Sequence, residues 1–477
     1  MNLRQKTISG LFWSFISQGG KQISQFIITV ILARLLSPND FGLFAMVTVF
    51  VNFAAIFSEM GISSALIQKQ DTLDRHYYSA FWLNVVGGIV LTIIFIVASP
   101  LIAWFYKKPE LQPILIVISI NFFISSFVVI QQVILTKEMD FKSLAVRDII
   151  AVVLSGAIGI YMAYHGFGVW SLVYQSIAFT LFNAVLLWVL SSWRPKFEFA
   201  ILDLKDIFRF SANLTGFNVI NYFARNIDQL LIGKFLGTQA LGYYTLAYKI
   251  MLYPLQNISW VIGKVMFPAF SKIQNDLEKV RNTYMKMVKA ISLVSFPLML
   301  GLFVIAPEFV NVFFGQKWGP IIILLRIFCF CGIVQSIGTT VGNILLSQGR
   351  ADLQLKMQLL GTAIVVMSII MGLRWGINGV AFCYTLQSVI WVHFTFYITN
   401  KLIGLKYKEF YSKIMTSYIM CTIMLCILFL AKYIITFPVP YKLGSLILIG
   451  MMAYFALLLI KKEILFKDKK LTMESFK

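Results

Sequence analysis

The chain has 477 residues, of which 59% are hydrophobic and only 13% are charged, and its mean hydropathy is +0.81. A soluble globular protein carries about 25% charged residues, so this composition excludes an ordinary soluble fold. The formal net charge of +21 could indicate a nucleic-acid partner, and the distribution of the basic residues decides that question.

Fourteen apolar stretches follow one another along the chain, each long enough to cross a bilayer as a tilted helix. Alternating strands of roughly ten residues, the pattern of a membrane barrel, are absent. The first stretch contains Gly19-Gly20-Lys21 and lacks a small-residue cleavage site, so we expect it to remain as the first span. We predict spans at about 8–33, 41–66, 78–103, 112–135, 146–164, 168–190, 208–234, 240–270, 284–306, 319–346, 354–373, 377–399, 410–430 and 443–460.

The loops predict the orientation of these spans. With the amino terminus in the cytoplasm, 28 Lys and Arg residues lie in the loops and span ends of that side, eight lie in those of the other, and five lie deeper within spans. This asymmetry fits the positive-inside rule with both termini cytoplasmic. The net positive charge therefore reflects topology and contact with anionic lipid headgroups, and we predict no nucleic-acid partner.

The chain contains an internal duplication. The turn 37–44 (SPNDFGLF) corresponds to the turn 237–244 (GTQALGYY), and Gly42 corresponds to Gly242. Later matches keep the same order at slowly increasing offsets: the Pro100/Pro113 pair at Pro307/Pro320, 134–136 at 345–347, and 166–169 at 376–380. Six spans per copy is an even number, so the repeat is parallel. We predict an amino-terminal lobe at 1–200, a second lobe at 201–402, and two further spans with a basic tail at 403–477.

Polar residues at membrane depth mark the first helix of each copy. Gln18, Lys21, Gln22 and Gln25 are spaced to share one helix face. Span seven carries Asn218, Asn221, Tyr222 and Arg225 at the same positions plus 200, followed by Asp228. A charge at the bilayer centre costs about 2.5–3.5 kcal/mol. We therefore expect these stripes to line a hydrated cavity between the lobes.

Further charges lie in the second helix of each copy: Glu59 in span two, and Lys249 and Lys264 in span eight. The surplus of positive charge predicts a cavity for an anionic headgroup such as pyrophosphate. Two alternatives stay open, since Arg225 and Asp228 could pair along one helix and Lys264 could extend to the interface. Gly19, Gly20 and Pro254 fit either bending points or close packing.

Enzyme chemistry has little support in this sequence. The three histidines are scattered, the five cysteines all fall in apolar stretches, and no P-loop or dinucleotide motif occurs. We predict no cofactor and no metal site. A long hydrophobic chain made of two copies of one membrane unit is a candidate transporter. Without a P-loop, such a transporter would take its energy from an ion gradient, from the substrate gradient or from downstream consumption of the substrate.

Three stretches carry a resemblance to a known family: 34–43 (RLLSPNDFGL), 59–68 (EMGISSALIQ) and 166–173 (GFGVWSLV). They resemble the bacterial polysaccharide exporters of the colanic-acid and teichuronic-acid type, in the superfamily of multidrug extruders and the lipid II flippase. The resemblance implies an all-α polytopic protein of about fourteen helices. It also implies two pseudo-symmetric six-helix lobes in a V shape, working by alternating access in the bacterial inner membrane.

The implied cargo is an undecaprenyl-pyrophosphate-linked oligosaccharide, with a polysaccharide polymerase and chain-length machinery as possible partners. Alternatives are a multidrug cation antiporter of the same fold, a glycosyl polymerase or ligase, and a non-transporting component of a polysaccharide-synthesis complex. Proton or sodium coupling is expected at Glu59 or Asp228. The expected cavity residues are Lys21, Arg225, Lys249, Lys264, Gln18, Gln25, Asn218 and Asn221.

Overall fold

A computed structural model describes residues 3–59, 63, 66, 73–198 and 205–460, and within them the fold is helical with no strand. Sixteen α-helices lie in this part of the chain. They are α1 Leu3–Leu35, α2 Pro38–Glu59, α3 Asp74–Tyr106, α4 Leu111–Ile118, α5 Ile120–Ser126, α6 Val129–Lys137, α7 Phe141–Tyr164, α8 Val169–Leu190, α9 Lys205–Lys272, α10 Leu277–Phe313, α11 Ile321–Gly338, α12 Thr340–Ser347, α13 Ala351–Gly372, α14 Gly376–Leu402, α15 Tyr407–Ile434 and α16 Val439–Ile460.

By length and apolarity, nine helical stretches of the described residues could each cross a membrane, or ten if the bent run from α4 to α6 is one span. The protein is therefore a multi-pass helical membrane protein. Helix α9 covers predicted spans seven and eight. Gly237 divides it into two segments, because its φ of 83° lies outside the helical range. The count of fourteen crossings stays a prediction.

Predicted span four is broken rather than continuous. Helices α4, α5 and α6 share it, with a bend of 40° before α6. Ser125 Oγ donates to the carbonyl of Phe122, three residues back, and such bonds compete with the helical ladder and bend it. The offset of 211 residues places Ser125 on Ser336, which makes the same bond to Ile333 just before the break between α11 and α12. Both copies of the repeat therefore make this bond at the equivalent position, whereas the bend of 40° occurs in the first copy and 321–347 forms one continuous span.

In the unit Met1–Thr245, helix α1 packs on α7, and α7 packs on α8. Close approach depends on small residues, since a Cβ on Gly20 would lie 2.9 Å from Ile149 Cδ1, whereas Gly19 has open space. Gly20 is therefore a packing position in a helix that continues through it. The core of this helix trio consists of Ile28, Leu32, Leu36, Val152, Ala163 and Leu172.

The duplicated turns of this unit touch each other. A Cβ on Gly42 would overlap the carbonyl oxygen of Thr238, and a Cβ on Gly242 would overlap that of Pro38. Thr238 and Pro38 are equivalent positions of the repeat, 200 residues apart. The glycine of each copy therefore contacts the same position of the other copy, as in a two-fold symmetric contact. Thr238 Oγ1 also hydrogen-bonds Asn39 Oδ1. Only residues without side chains allow this backbone approach.

In the unit Leu246–Lys477, helix α10 packs on α11, α15 and α16. Polar bonds tie the last two helices to it: Ser292 Oγ lies 2.8 Å from Ser417 Oγ, and Tyr454 Oη donates to the Leu293 carbonyl at 2.8 Å. Lys432 Nζ lies 2.8 Å from Glu308 Oε2 in an ion pair whose carboxylate side chain is only 9% exposed. The pair fixes α15 against α10.

The boundary between the two units falls after Thr245, because the described part of α9 before that residue contacts α2 and α3. Tyr222 Oη donates to the Val49 carbonyl, and Lys234 Nζ donates to that of Phe105. The lobes predicted at 1–200 and 201–402 stay a prediction.

We expect Gly42→Ala to destabilise the protein by at least about 1–3 kcal/mol, the usual cost of overpacking, because the added methyl group meets backbone atoms that cannot turn aside. The measurements are the thermal unfolding midpoint and the monodisperse fraction after detergent extraction. Gly19→Ala is the matched control, since it adds the same group in open space and gains helix propensity. Equal behaviour of the two variants would contradict the backbone contact.

We expect Lys432→Ala to cost about 3–5 kcal/mol, because it leaves the buried Glu308 carboxylate without its partner. The double variant Lys432→Ala/Glu308→Leu should recover most of that loss in the same unfolding assay. Lys279→Ala is the control, because the Lys279–Asp276 pair lies on the surface and such pairs contribute little. A Lys432→Ala protein as stable as Lys279→Ala would refute this role.

Candidate functional site

The polar stripe of α1 is part of the first unit. Gln18, Lys21, Gln22 and Gln25 are all half-buried. Lys21 Nζ lies 5.6 Å from the centroid of the Phe179 ring on α8, a distance at which the ring face attracts a cation. Phe179 also packs against the core of α1, α7 and α8. The lysine is therefore supported by an aromatic ring, and a ring leaves its net charge uncompensated.

The second stripe lies on α9 before Gly237. Asn221 is half-buried and Arg225 is exposed, whereas Asp228 is only 4% exposed. Asp228 Oδ2 accepts a hydrogen bond of 3.0 Å from Tyr244 Oη, and Oδ1 accepts one of 2.8 Å from the Gln229 backbone N–H. No ion pair joins Arg225 and Asp228, so the alternative in which they neutralise each other is not what this structure contains.

The Asp228–Tyr244 bond connects the two segments of α9. Asp228 precedes the break at Gly237 and Tyr244 follows it, and Tyr244 is fully buried. The positive φ of Gly237, which glycine adopts at no steric cost, lets the chain turn so that these side chains meet. The turn of the repeat and the buried carboxylate are therefore one local structure.

Aromatic contacts hold the first segment of α9 in place. The Phe53 ring on α2 lies 5.9 Å from the Tyr222 ring and 5.0 Å from the Phe223 ring, measured between centroids. Lys234 Nζ lies 4.4 Å from the centroid of Phe105 and donates to that residue's carbonyl. A lysine at a helix end satisfies carbonyls that have no partner within the helix.

In the second unit, Lys249 is exposed, and its Nζ lies 6.0 Å from the centroid of the Tyr253 ring one turn further along α9. Beside it is a polar trio that we did not predict from the sequence. Tyr248 Oη lies 3.2 Å from Tyr384 Oη, which accepts a 3.1 Å bond from Gln335 Nε2. Each residue is isolated in an apolar stretch, and only the packing of α9, α11 and α14 joins them.

Three expected site residues lie on helices but have side chains outside the described part: Asn218, Glu59 and Lys264. Their roles stay predictions. Where side chains are described, no three of His, Cys, Asp and Glu come together as metal ligands.

The described side chains can bind an anion and hold a proton or a cation. Lys21 and Arg225 are cations on α1 and α9 whose charge no described carboxylate balances. Asp228 is a buried carboxylate that receives two hydrogen bonds but no ion pair with a described lysine or arginine. A buried carboxylate of this kind is stabilised by taking up a proton or a cation.

The sequence model of the family described as "Polysaccharide biosynthesis protein" matches residues 31–323. The lipopolysaccharide biosynthesis protein WzxC of Escherichia coli (strain K12) is 29% identical over 421 residues, covering 86% of this chain and 84% of that protein. The teichuronic acid biosynthesis protein TuaB of Bacillus subtilis (strain 168) is 30% identical over 408 residues, covering 84% of this chain and 82% of that protein.

Solved structures with the same fold include the lipid II flippase MurJ in an inward closed conformation. Its TM-score is 0.72 at 17% identity, over 95% of this chain and 98% of that chain. An inward-facing multidrug resistance transporter of the MATE family has a TM-score of 0.66 at 16% identity, over 80% of this chain and 94% of that chain. At such identities the likeness concerns the fold alone.

Proposed function

The chain belongs to the polysaccharide biosynthesis protein family, and we propose that it is a flippase for undecaprenyl-pyrophosphate-linked oligosaccharides. The cargo passes from the cytoplasmic to the outer leaflet by alternating access, with both termini of the protein in the cytoplasm. The proteins named for lipopolysaccharide and teichuronic acid biosynthesis support the substrate class. The fold by itself does not decide it, since a lipid flippase and a multidrug transporter share it.

The observation that carries the proposal is the pair of cations on α1 and α9, Lys21 and Arg225, which lie in predicted spans one and seven. A lone charge in hydrocarbon costs about 2.5–3.5 kcal/mol, so each cation needs water, a counter-ion or a ligand. Lys21 contacts an aromatic ring, and Arg225 is exposed while Asp228 bonds Tyr244 instead. A pyrophosphate headgroup supplies the missing negative charge and several acceptor oxygens.

The remaining expected residues take supporting roles. Lys249 and Lys264 add positive charge along α9, and Gln18, Gln25, Asn218 and Asn221 supply amide groups for sugar hydroxyls. Asp228 is the coupling residue, with Glu59 as the second carboxylate, and a proton or sodium ion exchanges there during the cycle. The bond from Tyr244 holds that carboxylate beside the break at Gly237.

We expect Lys21→Gln and Arg225→Gln each to lower the transport rate by about tenfold or more, because a charge-assisted hydrogen bond contributes about 1.5–3 kcal/mol. The assay reconstitutes the protein in liposomes with undecaprenyl-pyrophosphate-linked oligosaccharide and follows its appearance in the opposite leaflet. Lys21→Arg should restore most of the rate.

Lys401→Gln is the matched control, since Lys401 is exposed at the end of α14. Full activity of both glutamine variants would remove the assigned role of the cations. Transport of a cationic dye but not of the lipid-linked oligosaccharide would identify a multidrug extruder. Transport of neither by the folded protein would favour a non-transporting component of a synthesis complex.

We expect Asp228→Asn to abolish the dependence of transport on a proton or sodium gradient, because an amide neither binds a proton nor attracts a cation. The measurement is the liposome rate with and without each gradient. Tyr244→Phe is the comparison variant, since it removes one hydrogen bond but keeps the carboxylate, and gradient dependence should persist in it. An Asp228→Asn protein that still responds to the gradient would exclude Asp228 as the coupling residue.

A further inference from the structure

The second unit contains an apolar groove that the assigned cavity residues do not use. It lies between α11, α13 and α14 and has a volume of about 770 Å³. Several of its side chains are largely exposed although they are large and apolar. Among them are Met367, Met371, Trp375, Phe382, Leu386 and Ile390.

Glycine contacts at both ends produce the groove. Near the turn between α13 and α14, a Cβ on Gly372 would lie 2.6 Å from the Val380 Cα. At the other end, a Cβ on Gly361 would lie 2.9 Å from Nε1 of Trp391. The helices therefore approach closely at two points, and the space left between those points has Ile327 of α11 among its lining residues.

The length of the groove indicates what can fill it. Along α14 it runs from Asn378 to Trp391, about 20 Å at 1.5 Å per residue. One leaflet contributes about 15 Å to a hydrocarbon core of roughly 30 Å. A phospholipid acyl chain stays within its own leaflet, whereas a polyprenyl chain is long enough to pass the midplane. The flexible side chains of Met367 and Met371 suit its irregular, methyl-branched surface.

The groove has a positive charge at one end and no acidic residue in its lining. Arg374 precedes the groove residue Trp375 in the turn between α13 and α14, and its side chain is exposed. No carboxylate of the described residues pairs with it. The positive-inside rule predicts this turn on the outer side of the membrane. An arginine beside an aromatic ring at a membrane interface is suited to a lipid phosphate.

We propose that this groove binds the chain of a polyprenyl phosphate lipid, with the phosphate at Arg374 and the chain running along α14 past the bilayer midplane. The choice of a polyprenyl lipid rests on the proposed function. The groove is distinct from the cations of α1 and α9, and it holds the lipid by its tail at the outer leaflet.

Native mass spectrometry of the full-length protein, incubated with equal amounts of undecaprenyl phosphate and phosphatidic acid, tests the proposal. Both lipids carry a phosphate monoester, so a preference reports the chain. The wild type should retain undecaprenyl phosphate preferentially, and Ser368→Trp, which fills the groove, should lose that preference. Thr422→Trp makes the same change on the exposed side of α15 and should keep it. Equal retention of both lipids by the wild type would mean ordinary boundary lipid and overturn the proposal.

Arg374→Gln is a second variant that tests the proposal if Ser368→Trp does not fold. It should weaken retention of undecaprenyl phosphate by about fivefold, the usual effect of one basic residue near an anionic headgroup, and leave retention of uncharged undecaprenol unchanged. Lys442→Gln is the control for charge on the same predicted side. An unchanged affinity for undecaprenyl phosphate in Arg374→Gln would overturn the assigned phosphate position.

The two proposals can fail separately because this readout is binding. Chain preference without oligosaccharide transport would overturn the proposed function alone. Transport by a wild type that shows no chain preference would overturn the groove alone.

Discussion

The contact between the two copies of the duplicated turn is the constraint on which the first unit depends. Gly42 faces the Thr238 carbonyl and Gly242 faces that of Pro38, so backbone meets backbone at reciprocal positions. The contact leaves no room for a side chain at either glycine. It brings α9 against α2, and the break at Gly237 that permits it also lets Asp228 reach Tyr244. The buried carboxylate is therefore located by the same turn that joins the repeats.

Much of this architecture could be predicted from the sequence. Apolar stretches predicted where the helices lie, and the resemblance to polysaccharide exporters in three short motifs is confirmed by the family match and by WzxC and TuaB. The duplication predicted equivalent positions, and several behave alike. Gly166 and Gly376 both have positive φ, at 80° and 68°, and Ser125 and Ser336 make the same local bond. These features are local, so a single chain reveals them.

Side-chain partnerships were harder to predict because they depend on how separate helices pack. The spacing of Arg225 and Asp228 allowed an ion pair, but the turn at Gly237 gives Asp228 a tyrosine partner sixteen residues on. Predicted span four reads as one apolar stretch, yet the helix bends by 40° between Ser126 and Val129. Glu308 and Lys432 are 124 residues apart, and the Tyr248, Gln335 and Tyr384 trio comes from three helices. No local pattern links these residues.

The partner chosen by Asp228 matters most for the function. Had the carboxylate paired with Arg225, the first unit would present one cation fewer to a ligand. Tyr244 and the Gln229 amide instead satisfy both carboxylate oxygens without adding positive charge, because both donors are neutral. Arg225 therefore keeps its charge in predicted span seven, as Lys21 does in predicted span one beside its aromatic ring. Under the proposed function, a neutral partner for the acid thus separates two tasks, with the cations assigned to an anionic headgroup and the carboxylate to a proton or a metal cation.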